Sequence, residues 1–102
     1  MPDPSHADRP LATPTVQIDD ERVRVTEWRF PPGDHTGWHR HAWPYVVVPM
    51  TGGTLVLDTP TGAATAHLAA GVAYAREAGV EQDVVNANDR EFVFVEVGIE
   101  RG

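Results

Sequence analysis

The chain has 102 residues, a formal net charge of −7, no cysteine, and no apolar run near the roughly 20 residues that a membrane-spanning helix needs. One domain of this length leaves room for only a small internal cavity, and an acidic chain lacks the clustered Lys and Arg that a nucleic-acid partner requires. The composition therefore predicts one domain that binds a small-molecule ligand, without a nucleic-acid or membrane partner, and any metal must be held by nitrogen and oxygen ligands.

The N-terminal residues 1–14 differ in composition from the rest of the chain. They contain four prolines, mixed charges and almost no apolar side chains, which predicts a disordered tail or a strap lying on the surface. They lack the basic and apolar stretches of a secretory signal, so we expect a cytoplasmic protein. Residues 15–102 form the predicted domain.

From Thr15 onward, short β-prone runs alternate with turn residues, and no 3.6-residue periodicity is long enough to predict a helix. Thr59-Pro60-Thr61-Gly62 is typical of a type I turn, so the strands on either side of it should form a hairpin. The glycines at 52–53 and the polar residues 86–89 mark two further reversals. The predicted strands cover residues 15–18, 22–30, 37–41, 44–50, 54–58, 63–68, 72–75, 80–86 and 91–99.

This pattern favours an all-β fold, and the need to hide sheet edges favours closure of two antiparallel sheets into a jelly-roll barrel. Residues 45–48 and 92–95 are apolar on both faces of their strands, whereas a strand of a monomeric sandwich alternates apolar with polar side chains. Another surface must therefore cover their outer faces. We expect a homodimer, because two-fold dimers are the commonest oligomers; the alternative is that the N-terminal segment covers them.

The stretch from Gly33 to Gly52 carries the clearest chemical signal. His39 and His41 should lie on one face of a strand, since side chains repeat every two residues, and two imidazoles so placed can share one metal ion. Trp43 and Tyr45 continue that parity and are predicted to line the pocket, although a proline lies between them. The alternative is a surface strand with two exposed imidazoles.

Two motifs in this chain resemble those of the cupin superfamily. The first cupin motif has the order Gly, His-x-His, Glu, Gly, and the second has Gly, Pro-x-Gly, His, Asn. At the matching spacings this chain has Gly33, His39, His41, Tyr45 and Gly52, and then Gly71, Glu77, Gly79, Gln82 and Asn86. The resemblance implies a cupin jelly-roll barrel, and it is nearest to small bacterial cupins linked to β-alanine degradation, in which Tyr also stands at the Glu position.

The departures from the motifs concern the metal ligands, because metal-binding cupins supply three His and a Glu. Here Tyr45 and Gln82 replace the Glu and the third His. The resemblance implies a divalent transition metal, Zn, Ni, Fe or Mn, held by His39, His41 and Gln82, with Tyr45 as a catalytic proton donor or acceptor. A metal without an anionic ligand keeps its full positive charge and would attract an anionic substrate.

We therefore expect a metal-dependent enzyme that acts on a small carboxylate-bearing metabolite, of oxygenase, lyase or isomerase type, since the fold alone does not choose the reaction. The alternative is a non-catalytic or metal-free cupin that binds a small ligand. His35, in a loop expected to be flexible, and His67, within a strand, are expected to stay outside the ligand set. Arg40 should point away from the pocket by parity.

Overall fold

The structure, a computed structural model, describes residues 10–100, which form nine β-strands and no helix. None of the described segments is a helix that could cross a membrane. The strands are β1 (Thr13–Asp19), β2 (Val23–Phe30), β3 (His39–Arg40), β4 (Tyr45–Pro49), β5 (Gly53–Thr59), β6 (Gly62–Leu68), β7 (Tyr74–Arg76), β8 (Glu81–Asn86) and β9 (Phe92–Ile99).

Each of the nine predicted strands is present, with differences at the ends. The largest difference is at the strand predicted over 37–41, where only His39 and Arg40 pair as β3. Gly37 has a φ of 85°, which lies outside the β region and prevents the strand from starting there.

The strands form two antiparallel sheets, one of five strands in the order β1-β2-β9-β4-β7 and one of four in the order β3-β8-β5-β6. The predicted hairpin joins β5 to β6, with Thr59 opposite Gly62 at its end. The side-chain hydroxyl of Thr59 donates to the carbonyl oxygen of Gly62 at 2.7 Å and so closes the turn. The prediction of a jelly roll of two antiparallel sheets is confirmed.

The inner face of the five-stranded sheet changes from polar to apolar along its strands. β2 and β9 pair so that Arg24, Thr26, Trp28 and Phe30 face Gly98, Glu96, Phe94 and Phe92 respectively. The apolar ends meet in the core, where Phe30 and Phe94 lie 5.4 Å apart between ring centroids. The polar ends lie at the other end of the barrel, together with Tyr45, which is opposite Gly98.

The start of the described chain joins the two sheets. Thr13 and Pro14, which the sequence placed in the terminal segment, belong to β1. Residues 10–12 run beside residue 35, where the amide of Ala12 donates to the carbonyl oxygen of His35 at 2.8 Å. Ala12 is buried in the core. The rest of the predicted terminal segment, residues 1–9, lies outside the described residues.

The outer face of the five-stranded sheet is apolar at its centre. Val46 and Val48 of β4 pair with Val97 and Val95 of β9, and all four side chains are partly exposed. Residues 10–12 do not cover them, because residue 35 beside that segment pairs with Val85 of the other sheet. An apolar face of the kind that the sequence predicts is thus present, and the segment 10–12 lies elsewhere.

Candidate functional site

Two imidazoles meet at the polar end of the barrel. His39 lies in β3, and His41 follows it directly, so both rings project to the same side of the chain. Their Nε2 atoms are 3.0 Å apart. The backbone of His41 is fixed from both sides, since its amide donates to Val80 at 2.9 Å and its carbonyl oxygen accepts from the amide of Gly79 at 2.7 Å.

The ring of His39 is oriented by the loop before β3. Its Nδ1 donates to the carbonyl oxygen of Gly37 at 2.9 Å, which leaves a lone pair on Nε2 in the neutral imidazole. The left-handed conformation of Gly37 points this carbonyl at the ring. Asp83 holds the same loop, because its Oδ1 accepts from the Gly37 amide at 3.1 Å.

His41 is kept neutral by its surroundings. Burial, with a smaller contribution from the neighbouring His39, lowers the pKa of His41 to about 4. Near neutral pH the ring therefore carries no charge and one of its nitrogens keeps a lone pair. The neutral ring of His41 fits the chemistry of a metal ligand, which must be deprotonated to bind.

Tyr45 lies against His41, with ring centroids 3.7 Å apart and planes at 16°. Its hydroxyl accepts a hydrogen bond from Nε2 of Gln82 at 3.4 Å. Gln82 comes from β8, directly opposite His39. Burial, and to a lesser degree the nearby Glu96, raises the pKa of Tyr45 to about 12, which disfavours the phenolate. The structure thus brings His39, His41, Tyr45 and Gln82 together.

A carboxylate that the sequence reasoning missed also reaches this site. Glu96 follows the apolar run of β9 on the inner side of the strand, and its Oε2 is 3.9 Å from Nδ1 of His41. That distance is too long for a hydrogen bond, yet a nearby carboxylate favours the tautomer with the proton on Nδ1. Burial raises the pKa of Glu96 to about 7, against the opposing effect of Arg24. The sequence signal that could have identified Glu96 is its position as an acidic residue within the otherwise apolar strand β9.

A cavity of about 420 Å³ opens beside these residues, a volume suited to a small molecule. His41, Tyr45 and Glu96 line it, whereas His39 and Gln82 do not. Trp43 lines it at the rim, as placed by its parity with the histidines, and is 36% exposed.

Two other side chains of the cavity wall differ from expectation or lack a partner. Arg40, expected to point away from the pocket, is among the lining residues, because its long side chain extends from the end of the two-residue strand β3. The indole Nε1 of Trp28 is buried and has no hydrogen-bond partner within residues 10–100.

The two remaining described histidines lie elsewhere. His35 was expected in a flexible loop, but it is buried and its Nδ1 is 3.0 Å from both carboxylate oxygens of Asp83. His67 is exposed on β6 and contacts the hydroxyl of Thr54 at 3.1 Å. Across residues 10–100, no three His, Asp or Glu side chains are grouped so as to hold a metal, which leaves the two imidazoles with an amide and a phenol.

Comparison with known proteins places this site in a family. No family model matches the chain. A cupin domain of known crystal structure from Bordetella pertussis is 63% identical, with a TM-score of 0.91 over 92% of this chain and 98% of that one. The chain belongs to the cupin superfamily. The predicted cupin resemblance and fold are therefore confirmed.

Two further comparisons differ in what they support, since one protein is similar in sequence and the other in fold alone. The β-alanine degradation protein BauB of Pseudomonas aeruginosa is 60% identical over 91 residues, which are 89% of this chain and 96% of the relative. An RmlC-like cupin from Methanocaldococcus jannaschii has a TM-score of 0.75 at 15% identity, covering 92% of this chain and 84% of its own, and supports the fold alone. The cupin is thus similar to a protein of β-alanine degradation along nearly its whole length.

Proposed function

We propose that this cupin is a metal-dependent enzyme that acts on a small carboxylate-bearing metabolite of β-alanine degradation. The observation that carries the proposal is the 3.0 Å separation of the Nε2 atoms of His39 and His41 at the edge of a cavity. The similarity to BauB supports the class of metabolite.

The two imidazoles fit a metal ion. Two nitrogen ligands of one ion, each about 2.1 Å from it, stand about 3.0 Å apart at an angle of about 90° and about 3.4 Å apart at the tetrahedral angle. His39 presents a lone pair at Nε2 because its Nδ1 donates to Gly37. His41 does the same when its proton is on Nδ1, the nitrogen that faces Glu96. His39, His41 and the amide oxygen of Gln82 would hold Zn, Ni, Fe or Mn.

A bound metal would supply Lewis-acid or oxygen-activating chemistry. Tyr45 keeps its proton near neutral pH and would donate it to an oxygen of the substrate. The contact from Gln82 and the stacking on His41 hold the phenol in place for that transfer. Trp43 at the rim would limit the substrate to a small molecule.

A metal-free, ligand-binding cupin is the second candidate, and one observation favours it. Without a metal, the Nε2 proton of His41 can donate to Nε2 of His39 across the same 3.0 Å. In that tautomer the two histidines form one neutral hydrogen bond, and the ring of Tyr45 stacks on His41 beside it.

Metal analysis of protein purified without a histidine tag separates the two candidates. We expect near-stoichiometric metal in the wild type, and less than about a tenth of that in His39→Ala and in His41→Ala, because the two imidazoles are the strong ligands among the four side chains of the site. His67→Ala, which removes an exposed histidine, should keep the full content. A metal-free wild type would favour the ligand-binding candidate.

We also propose that the protein is a homodimer that buries the apolar outer face of β4 and β9. Val46, Val48, Val95 and Val97 support the proposal, because contiguous apolar surface of this kind marks an interaction site.

A further inference from the structure

The carboxylate of Glu96 is open to the cavity and lacks a donor. Its side chain is 22% exposed, and within residues 10–100 no group donates a hydrogen bond to it. The nearest basic nitrogen, Nδ1 of the neutral His41, is 3.9 Å away. A largely buried carboxylate without a donor is costly, so this group calls for a partner that carries N–H bonds and positive charge.

Arg24, whose charge acts on Glu96 without a direct ion pair, lies nearer the mouth of the same cavity. Arg24 is exposed, lines the cavity, and forms no ion pair with any residue in the 10–100 range. In register, Arg24 is opposite Gly98 whereas Glu96 is opposite Thr26, so the two charges are offset by two residues along the sheet. That offset is about 7 Å of strand. Glu96 is the deeper of the two.

We propose that the cavity takes a small zwitterionic ligand, whose ammonium group binds Glu96 and whose carboxylate faces Arg24 at the mouth. The inference rests on the proposed function, because it assigns the ligand of the same cavity. A short ω-amino acid carries an ammonium group at one end and a carboxylate at the other. The offset between Glu96 and Arg24 leaves room for a molecule of that length. An ammonium supplies three donors to a carboxylate that has none.

The test compares ligands that differ only in the amino group. Calorimetric titration would measure the binding of glycine, β-alanine, 4-aminobutyrate and 5-aminopentanoate, each against the acid of the same carbon number without the amine. We expect at least one amino acid to bind about tenfold more tightly than its matched acid, since a charge-assisted hydrogen bond is gained.

Variants assign the two ends of the ligand. Glu96→Gln should bring the ratio of the two affinities close to one, while Glu77→Gln, which removes the same charge from an exposed turn, should leave the ratio unchanged. Arg24→Gln should weaken the binding of the amino acid and of the matched acid by similar factors, because both carry the carboxylate. Glu96→Asp, which retracts the carboxylate by one methylene, should shift the preference to a longer amino acid.

Two results would overturn the inference. One is a wild type in which no amino acid binds more tightly than its matched acid, and the other is a preference for the amine that persists in Glu96→Gln. The metal content of the wild type and of the His39 and His41 variants is measured independently of these titrations. Failure of the zwitterion proposal is therefore distinguishable from failure of the metal site.

Discussion

At the scale of single residues, Gln82 and Asp83 are neighbours in β8 with opposite surroundings. Gln82 contacts the hydroxyl of Tyr45 beside the two imidazoles. Asp83 points the other way, is 1% exposed, and accepts from Gly37 while contacting His35. One step along a strand thus separates a residue of the candidate site from a residue that supports its loop.

This difference makes Gln82→His a direct test of the metal site. An imidazole at position 82 would add a third nitrogen ligand opposite His39. Replacing a neutral amide by imidazole should tighten Zn or Ni binding by at least about tenfold, roughly 1.4 kcal/mol. Metal titration of the folded variant measures the change.

The control for that experiment must leave the loop intact. Asp83→His is unsuitable because it removes the carboxylate that holds Gly37. Glu81→His places an imidazole one residue along on an exposed position, and it should not change the affinity. The gain at Gln82→His should also vanish when His39 is replaced. Unchanged affinity in Gln82→His would place the residue outside the metal's ligands.

The period of two along a strand was sufficient to predict His39, His41 and Tyr45 as neighbours. It was not sufficient for Glu96, because the sequence alone does not show that β9, the central strand of the five-stranded sheet, reaches the same cavity. The hydrogen bond from His39 to the carbonyl oxygen of Gly37 could not be predicted either, because every residue has a backbone carbonyl and its direction depends on the folded loop.

At the scale of elements, turn residues predicted the strands well because their chemistry is local. Pro60 and Gly62 fix the β5–β6 hairpin through their own conformations. The segment before β1 was harder, because its position depends on a contact with residue 35 across the chain. Composition alone makes that segment resemble a free tail.

The packing of residues 10–12 predicts a cost for removing them. Deletion of residues 1–12 removes Ala12 from the core and breaks the hydrogen bond from its amide to His35. We expect the midpoint of thermal unfolding to fall by more than about 5 °C, roughly 1 kcal/mol for a chain of this size, relative to a deletion of residues 1–9. Equal midpoints for the two deletions would mean that the contacts of residues 10–12 contribute nothing to stability.

At the scale of the whole molecule, the two faces of the five-stranded sheet carry different sets of side chains. The inner face is divided along its length, with Phe30 and Phe92 in the core and Arg24 and Glu96 in the cavity. This barrel therefore has a close-packed apolar end and a polar site at the other end. The outer face is apolar where β4 meets β9, and the proposed dimer would bury it.

That outer face predicts a dimer that one charge should disrupt. Light scattering at micromolar concentration should give twice the 11.2 kDa of one chain. Val97 pairs with Val46 and with Val25 on the other side, so it lies at the centre of the face. Val97→Lys should yield monomers, because an ammonium would be buried against the second copy without a partner.

The control is Thr65→Lys, at an exposed position of β6 in the other sheet, which should remain dimeric. If light scattering of the wild type shows only a species of 11.2 kDa, the face stays open to solvent and the dimer proposal is wrong.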